Sequence, residues 1–383
     1  MCVDMKTREN YSKAVNMIPS RDRMVATRPR QLDLFHQWIN GDHSFSQGIR
    51  ILDTAPLYVY GKQDKYREHG KYLRILERTS HVDGVEYTYR IKPARIVDQD
   101  GEEKEYYPGK IEDLVEMALR KIAFDGGGVS IGGFYGVEYT PYEVRTLLKS
   151  LGHTYSHSQI AYAIKKLGGA RYDLSFPRGD KIAVIEDIQY LGISGHQLDG
   201  DRIPNPKEKS YVLFSPFVTQ SVNELRTRRF NINRCMSYKN AGAKWLEMKL
   251  SLHFLQAGPS NPYTVNLTSL VRDSNIGQGL PLRRQHQYWV DIMDEMQATE
   301  EQMKPGKDPN KVGPIGMLRQ KKVFTQKPGT KRKILKEVTF TIFPSSKFTK
   351  EMIESNQMAH RVVANSTFAE FEKMSGQLPE LPA

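Results

Sequence analysis

The amino-acid sequence predicts an α+β chain of two tandem winged helix-turn-helix domains, with an extended N-terminal arm and a C-terminal helical tail. Three observations carry this. Helix, tight turn, helix and β-hairpin follow one another between residues 140 and 191. The same order returns between residues 218 and 342, with no obvious sequence identity between the copies. A turn-rich polar stretch, Gly200–Ser210, separates them. The divisions are an arm at 1–48, a first domain at 49–200, a second at 201–345 and a tail at 346–383.

In the arm, Arg21, Arg23, Arg28 and Arg30 sit where no apolar period is sustained. From Ile49 the texture changes. Ile51, Leu57, Val59 and Tyr60, then Tyr72–Leu76 and Tyr87–Ile91, predict short strands. Lys110–Phe124 is helical, since Ile111, Leu114, Val115, Ala118, Leu119 and Ile122 recur at helical spacing. Thr140-Pro141-Tyr142-Glu143 is a capping box with proline at the first helical position, and the helix it opens buries Val144, Leu147, Leu148 and Leu151. Ser156 and Gln159 form a second box, opening a helix with Ile160, Ala163, Ile164 and Leu167 inward. A hairpin broken at Pro177–Asp180 follows.

In the second copy, Val218–Arg228 and Ala241–Gln256 are predicted helical. Asn266 is expected to cap a short helix with Leu267, Leu270 and Val271 inward. Arg283–Met296 places Trp289, Ile292, Met293 and Met296 on one face. A polar linker, Gln297–Gly316, leads to a strand at Val323–Gln326, a turn at Lys327–Thr330, and a strand alternating Val338, Phe340 and Ile342. Phe348–Met374 is expected to be a helix.

Composition narrows the function. Among 383 residues, 56 Lys and Arg stand against 44 Asp and Glu, a formal net charge of +12. That balance points toward a polyanion, most often nucleic acid. No apolar run reaches the roughly 18 residues a spanning helix needs, and the first residues hold no signal-peptide core, so a cytoplasmic protein without membrane contact is expected. Two cysteines, Cys2 and Cys235, exclude a disulfide framework and a cysteine-rich zinc site. No G-x-x-x-x-G-K-[ST] is present, and Gly126–Gly136 reads as a hairpin before a helix; no cofactor is expected. No H-E-x-x-H and no G-x-S-x-G appears, and His153 and His157 read as polar turn residues, so no metal, no catalytic residue and no enzyme activity are expected.

The charge is concentrated. Arg319, Lys321, Lys322, Lys327, Lys331, Arg332, Lys333 and Lys336 follow one another with no acid among them. A hairpin so loaded repels itself unless a polyanion neutralises it. The outer face of the second recognition helix offers Arg283, Arg284, Gln287 and Tyr288, and arginine and glutamine suit guanine and adenine edges. The first recognition helix offers Ser158, Gln159, Tyr162, Lys165 and Lys166, with Arg178 and Lys181 at its hairpin turn.

These segments resemble the plasmid replication initiators of the TrfA type. Tyr139–Gly195 looks like their first DNA-binding unit. The helix around Trp245–Phe254, then NPYTVNLTSLVRDS and RRQHQYWVDIM, look like the second. Gln31-Leu32-Asp33-Leu34-Phe35 matches the consensus by which such initiators dock on the replicative sliding clamp, with Leu34 and Phe35 as apolar anchors. The stretch Gly277–Pro281, the linker and the tail depart from the pattern. The resemblance implies binding to origin repeats (iterons), opening of a nearby A·T-rich segment, recruitment of the host helicase or its loader, and a homodimer as an inactive store. A winged-helix transcriptional repressor is the alternative. A rolling-circle nicking enzyme fits less well, lacking paired histidines beside a tyrosine.

Overall fold

The computed structural model describes residues 44–60, 72–97, 101–131, 134–195, 209–216, 228–299, 311–326 and 333–357, with a few isolated positions between them. Strand β1 (Phe45–Gly48) runs into a single helical turn, α1 (Arg50–Asp53). The strand expected through Ile51 is replaced by this turn. The Asp53 carboxylate accepts from the Ile49 amide at 2.5 Å and from Arg120 at 2.5 Å, so the chain curls to meet it.

β2 (Leu76–Val82) and β3 (Val85–Lys92) join through Asp83-Gly84, whose φ angles of 51° and 81° suit a two-residue hairpin. β4 (Ala94–Val97) and β5 (Glu103–Tyr106) form a second hairpin, which the sequence pattern does not predict. α2 (Lys110–Ile122) is followed by the hairpin β6 (Gly128–Ile131) and β7 (Phe134–Tyr139). α3 (Pro141–Ser150) and α4 (His157–Gly169) both start at the expected capping boxes. Thr140 Oγ1 accepts from the Glu143 amide at 3.1 Å, and Ser156 Oγ from the Gln159 amide at 3.1 Å. β8 (Arg171–Arg178) and β9 (Lys181–Gln189) make the first wing, in a sheet ordered β2-β3-β8-β9. This is the predicted order of helix, turn, helix and hairpin.

The boundary expected near residue 200 is crossed by the chain. β10 (Leu191–Gly195) and β11 (Ser210–Phe214) complete a sheet ordered β10-β11-β7-β6. β12 (Arg228–Asn231) pairs with β1. The helix expected over Val218–Arg228 does not include Arg228, which pairs with Gly48 in β12; residues 220–227 lie outside the described residues.

α5 (Ile232–Ser237) and α6 (Ala241–His253) follow. α6 stops short of the expected Gln256. Then come β13 (Tyr263–Asn266), α7 (Leu267–Ser274), α8 (Leu282–Glu295) and the long hairpin β14 (Ile315–Gln326) with β15 (Lys333–Pro344), in a sheet ordered β13-β15-β14. Asn266 stands at the cap position of α7, but its side chain accepts from Thr339 Oγ1 instead. Glu337 of the wing takes over, meeting Thr268 at the helix start.

Residues 346–357 form α9. Its Phe348 and Met352 are buried with Trp245, Leu270, Trp289, Phe340 and Ile342 in the second core. The start of the expected tail is thus part of the second unit. Arg234 explains the attachment: wholly buried, it donates to Glu247 of α6 at 2.5 Å and to Glu351 of α9 at 2.8 Å. A buried guanidinium needs such partners, and breaking the set would leave uncompensated charge.

α6 serves both cores. Met248 and Leu252 join the first, whereas Trp245, Leu246 and Leu250 join the second. The seam between the units is polar and buried. Lys244 pairs with Asp113 of α2, Lys249 with Asp273 of α7 at 2.7 Å, and the Trp245 indole donates to the Thr54 carbonyl at 3.0 Å. Gly242 lets α6 and α8 close together, since a Cβ there would strike the Ile292 side chain.

Candidate nucleic-acid interface

α8 is held by apolar residues on one side and left open on the other. Trp289, Ile292 and Met293 are buried at helical spacing, and Trp289 meets Trp245 edge-on at 6.0 Å. The opposite face exposes Arg283, Arg284 and Gln287. Among the described residues neither arginine side chain has a hydrogen-bond or ion-pair partner. The Gln287 amide donates to Asp291 one turn on, at 2.8 Å, which fixes its nitrogen end. Tyr288 is half-buried and its hydroxyl donates to Asn240 at 3.3 Å, so it braces α8 against the start of α6 rather than standing free.

The wing is tied to this helix by a residue that the sequence pattern does not single out. His286 bonds Gln320 of β14 at 2.8 Å and stacks on Phe340 of β15, with ring centroids 6.1 Å apart. A histidine inside a run of polar helix residues carries no signal of its own; the contact exists only once β14 has packed. Lys321, Lys322, Lys333 and Lys336 are exposed along the two wing strands. Arg319 lies over the Phe343 ring at 4.9 Å, a cation–π contact that leaves its charge on the surface. Lys327, Lys331 and Arg332 lie outside the described residues, as do Gln31, Leu32, Asp33, Leu34 and Phe35.

The first unit is different. Ser158 and Gln159 are exposed at the start of α4, but the Gln159 side chain accepts from the Ser156 amide in the capping box. Further along, the β4–β5 hairpin lies against the helix. Tyr162 meets Tyr106 edge-on at 5.6 Å, Lys165 donates to the Val97 carbonyl at 3.1 Å, and Lys166 pairs with Glu112 of α2 at 2.9 Å. The expected outer face of α4 is therefore largely occupied. The apolar spacing that predicted α4 marks its inner face correctly, but which element covers the other face is a tertiary fact. Arg178 and Lys181 do stand exposed, opposite each other at the tip of the first wing. Asp180, Glu186 and Asp187 share that wing, whereas the two strands of the second carry one acid, Glu337, which meets Thr268.

Of the two histidines expected in a turn, His153 lies in the loop before α4, whereas His157 is the first residue of that helix. His153 bonds the Met236 carbonyl, and His157 bonds Arg145 at 3.1 Å. Among the described residues, no group of three or more His, Cys, Asp or Glu is placed to hold a metal ion, and no helix is long and apolar enough to cross a membrane.

No family model and no curated protein matches the chain. Similar solved structures include two crystal structures of domains 2 and 3 of RctB. They align with TM-scores of 0.43 and 0.41 at 10% and 9% identity, covering 80% and 76% of this chain and 99% and 95% of theirs. A crystal structure of Pi initiator protein in complex with iteron DNA aligns with a TM-score of 0.33 at 11% identity, covering 66% of this chain and 97% of that one.

Proposed function

We propose that this chain is a sequence-specific DNA-binding initiator of plasmid, or plasmid-like phage, replication, with no catalytic step of its own. One observation carries the reading. α8 exposes Arg283, Arg284 and Gln287 beside a wing whose residues 319–336 hold only positive charge. Base-edge donors on a helix beside phosphate-seeking cations are the two halves of specific duplex recognition. The second unit is the main reader, because α4 of the first is occupied. The first unit contributes Arg178 and Lys181 as phosphate contacts. Action at origin repeats, opening of A·T-rich DNA and recruitment of the helicase follow from the resemblance of the sequence to TrfA-type initiators.

The test is an anisotropy titration on duplex DNA across salt concentrations. The log–log slope is expected to reach several units, and Lys321→Ala, Lys322→Ala and Lys333→Ala together should flatten it by roughly two to three. An unchanged slope would remove the wing from the interface. Supercoiled DNA with magnesium or manganese should stay unnicked; nicking would replace the reading with an enzymatic one.

The Gln31–Phe35 peptide distinguishes an initiator from a repressor. Leu34→Ala with Phe35→Ala should abolish binding to purified sliding clamp in surface plasmon resonance, at a cost of at least about 2 kcal/mol per anchor. DNA binding and melting temperature should stay unchanged. A wild-type protein that does not bind the clamp would favour repression, and clamp binding that survives the double substitution would remove the peptide from the contact.

A further inference from the structure

We infer that Phe324, on the second wing, is an apolar wedge that enters the minor groove of duplex DNA and bends it. This rests on the DNA-binding reading above and adds a contact that cations alone do not supply.

Phe324 is 49% exposed, a large apolar ring left in water on a strand crowded with lysines. Its cross-strand partner is Leu335, which is buried in the second core. Opposite residues of an antiparallel pair share a face, so Phe324 projects from the sheet face that carries the helices. Lys322 lies on the same face, opposite the buried Val338. Lys333, two residues before Leu335, joins it. The aromatic ring is therefore flanked by cations on the side of the wing that faces along α8.

Its position along the wing carries it most of the way to the next minor groove. Gln320, held by His286, marks where β14 crosses α8. Phe324 lies four residues beyond, about 13 Å at roughly 3.3 Å per residue. A helix in the major groove has the next minor groove about half a helical turn away, roughly 17 Å. An unwidened minor groove, about 6 Å across, admits a side chain but not a pair of strands. An apolar ring entering there unstacks a base step and kinks the duplex, while Lys322 and Lys333 meet the bordering phosphates. Charge complementarity selects the polyanion, and the slot between its sugar walls accounts for the ring.

The test uses the full chain and a duplex of about 30 bp, selected by the wild-type protein from a random-sequence pool and end-labelled for energy transfer. The wild type should bend it by roughly 20–90°. Phe324→Ala should lose the bend and roughly tenfold in affinity, as for other aromatic contacts to bases. Its salt slope should not change, since every phosphate contact remains. Phe324→Lys is the second variant: added charge should steepen the slope while the bend is still lost. Bending by either variant equal to wild type overturns the wedge and leaves the DNA-binding reading intact. A wild type that selects no duplex overturns both. If Phe324→Ala loses binding to phosphatidylglycerol-containing vesicles but keeps bent DNA, the ring belongs to a membrane contact and the wedge is wrong.

Discussion

His253, on the last turn of α6, couples the fold to pH. Burial is the main reason its imidazole is held down to about 4 from 6.5; Lys249 and Arg50 push the same way, and Asp83 opposes them. An unfolded histidine takes a proton below about 6.5, whereas the folded one waits until about 4. Between those values the unfolded state binds more protons, so stability is lost as pH falls through the window and is complete above it. The loss is on the order of 3 kcal/mol. Urea unfolding at pH 5 and pH 7 should show about 2 kcal/mol of it, and His253→Gln should remove most of the difference. A variant as pH-sensitive as wild type would place the titrating group elsewhere. Nothing in the sequence around His253 announces this, because its surroundings come from α1 and the β2–β3 turn, some two hundred residues away along the chain.

At the level of elements, locally encoded features were legible and tertiary ones were not. The starts of α3 and α4 could be read because a capping box satisfies its own amides within four residues. The apolar spacing of α7 and α8 likewise identified their buried faces, whereas α2 is enclosed nearly all round, with Glu112, Asp113, Glu116 and Lys121 buried as well. Ile51 and Arg228 escaped because each segment answers to a distant partner, Arg120 in one case and β1 in the other. The Asp83-Gly84 hairpin is locally encoded too, since two residues of turn chemistry suffice for it. The β4–β5 hairpin hid the outer face of α4, which spacing alone left open. On α8 the exposed face matched the reading for Arg283, Arg284 and Gln287, but not for Tyr288. This yields a prediction about α8 itself. Arg284→Ala or Gln287→Ala should reduce discrimination between selected and scrambled duplex by about 1–3 kcal/mol and alter nonspecific affinity much less. Competition gel shifts decide it; equal weakening of both DNAs would mean that these side chains grip phosphate.

The whole molecule is organised around α6 rather than around a linker between halves. Leu250 packs in one core and Leu252, two residues on, in the other. Leu250→Ala and Leu252→Ala should each cost about 2–5 kcal/mol. Both should lower a single common transition, because neither core keeps its shape without the helix between them. Tryptophan fluorescence reports the second core through Trp245 and Trp289, and far-UV circular dichroism reports the entire chain. Coincident midpoints are expected in both variants. Separate midpoints would mean that the two units melt independently despite the shared helix.

The return of β11, β12 and α6 to the first unit also sets a timetable for synthesis. A ribosome that has delivered residues 1–200 has supplied α3, α4 and the first wing, but not Val212, Phe230, Met248 or Leu252 of the same core. Domains usually close one after another as the chain emerges. Here the earlier unit must wait for the opening helices of the later one, and the nascent chain stays open to chaperones and proteases until then.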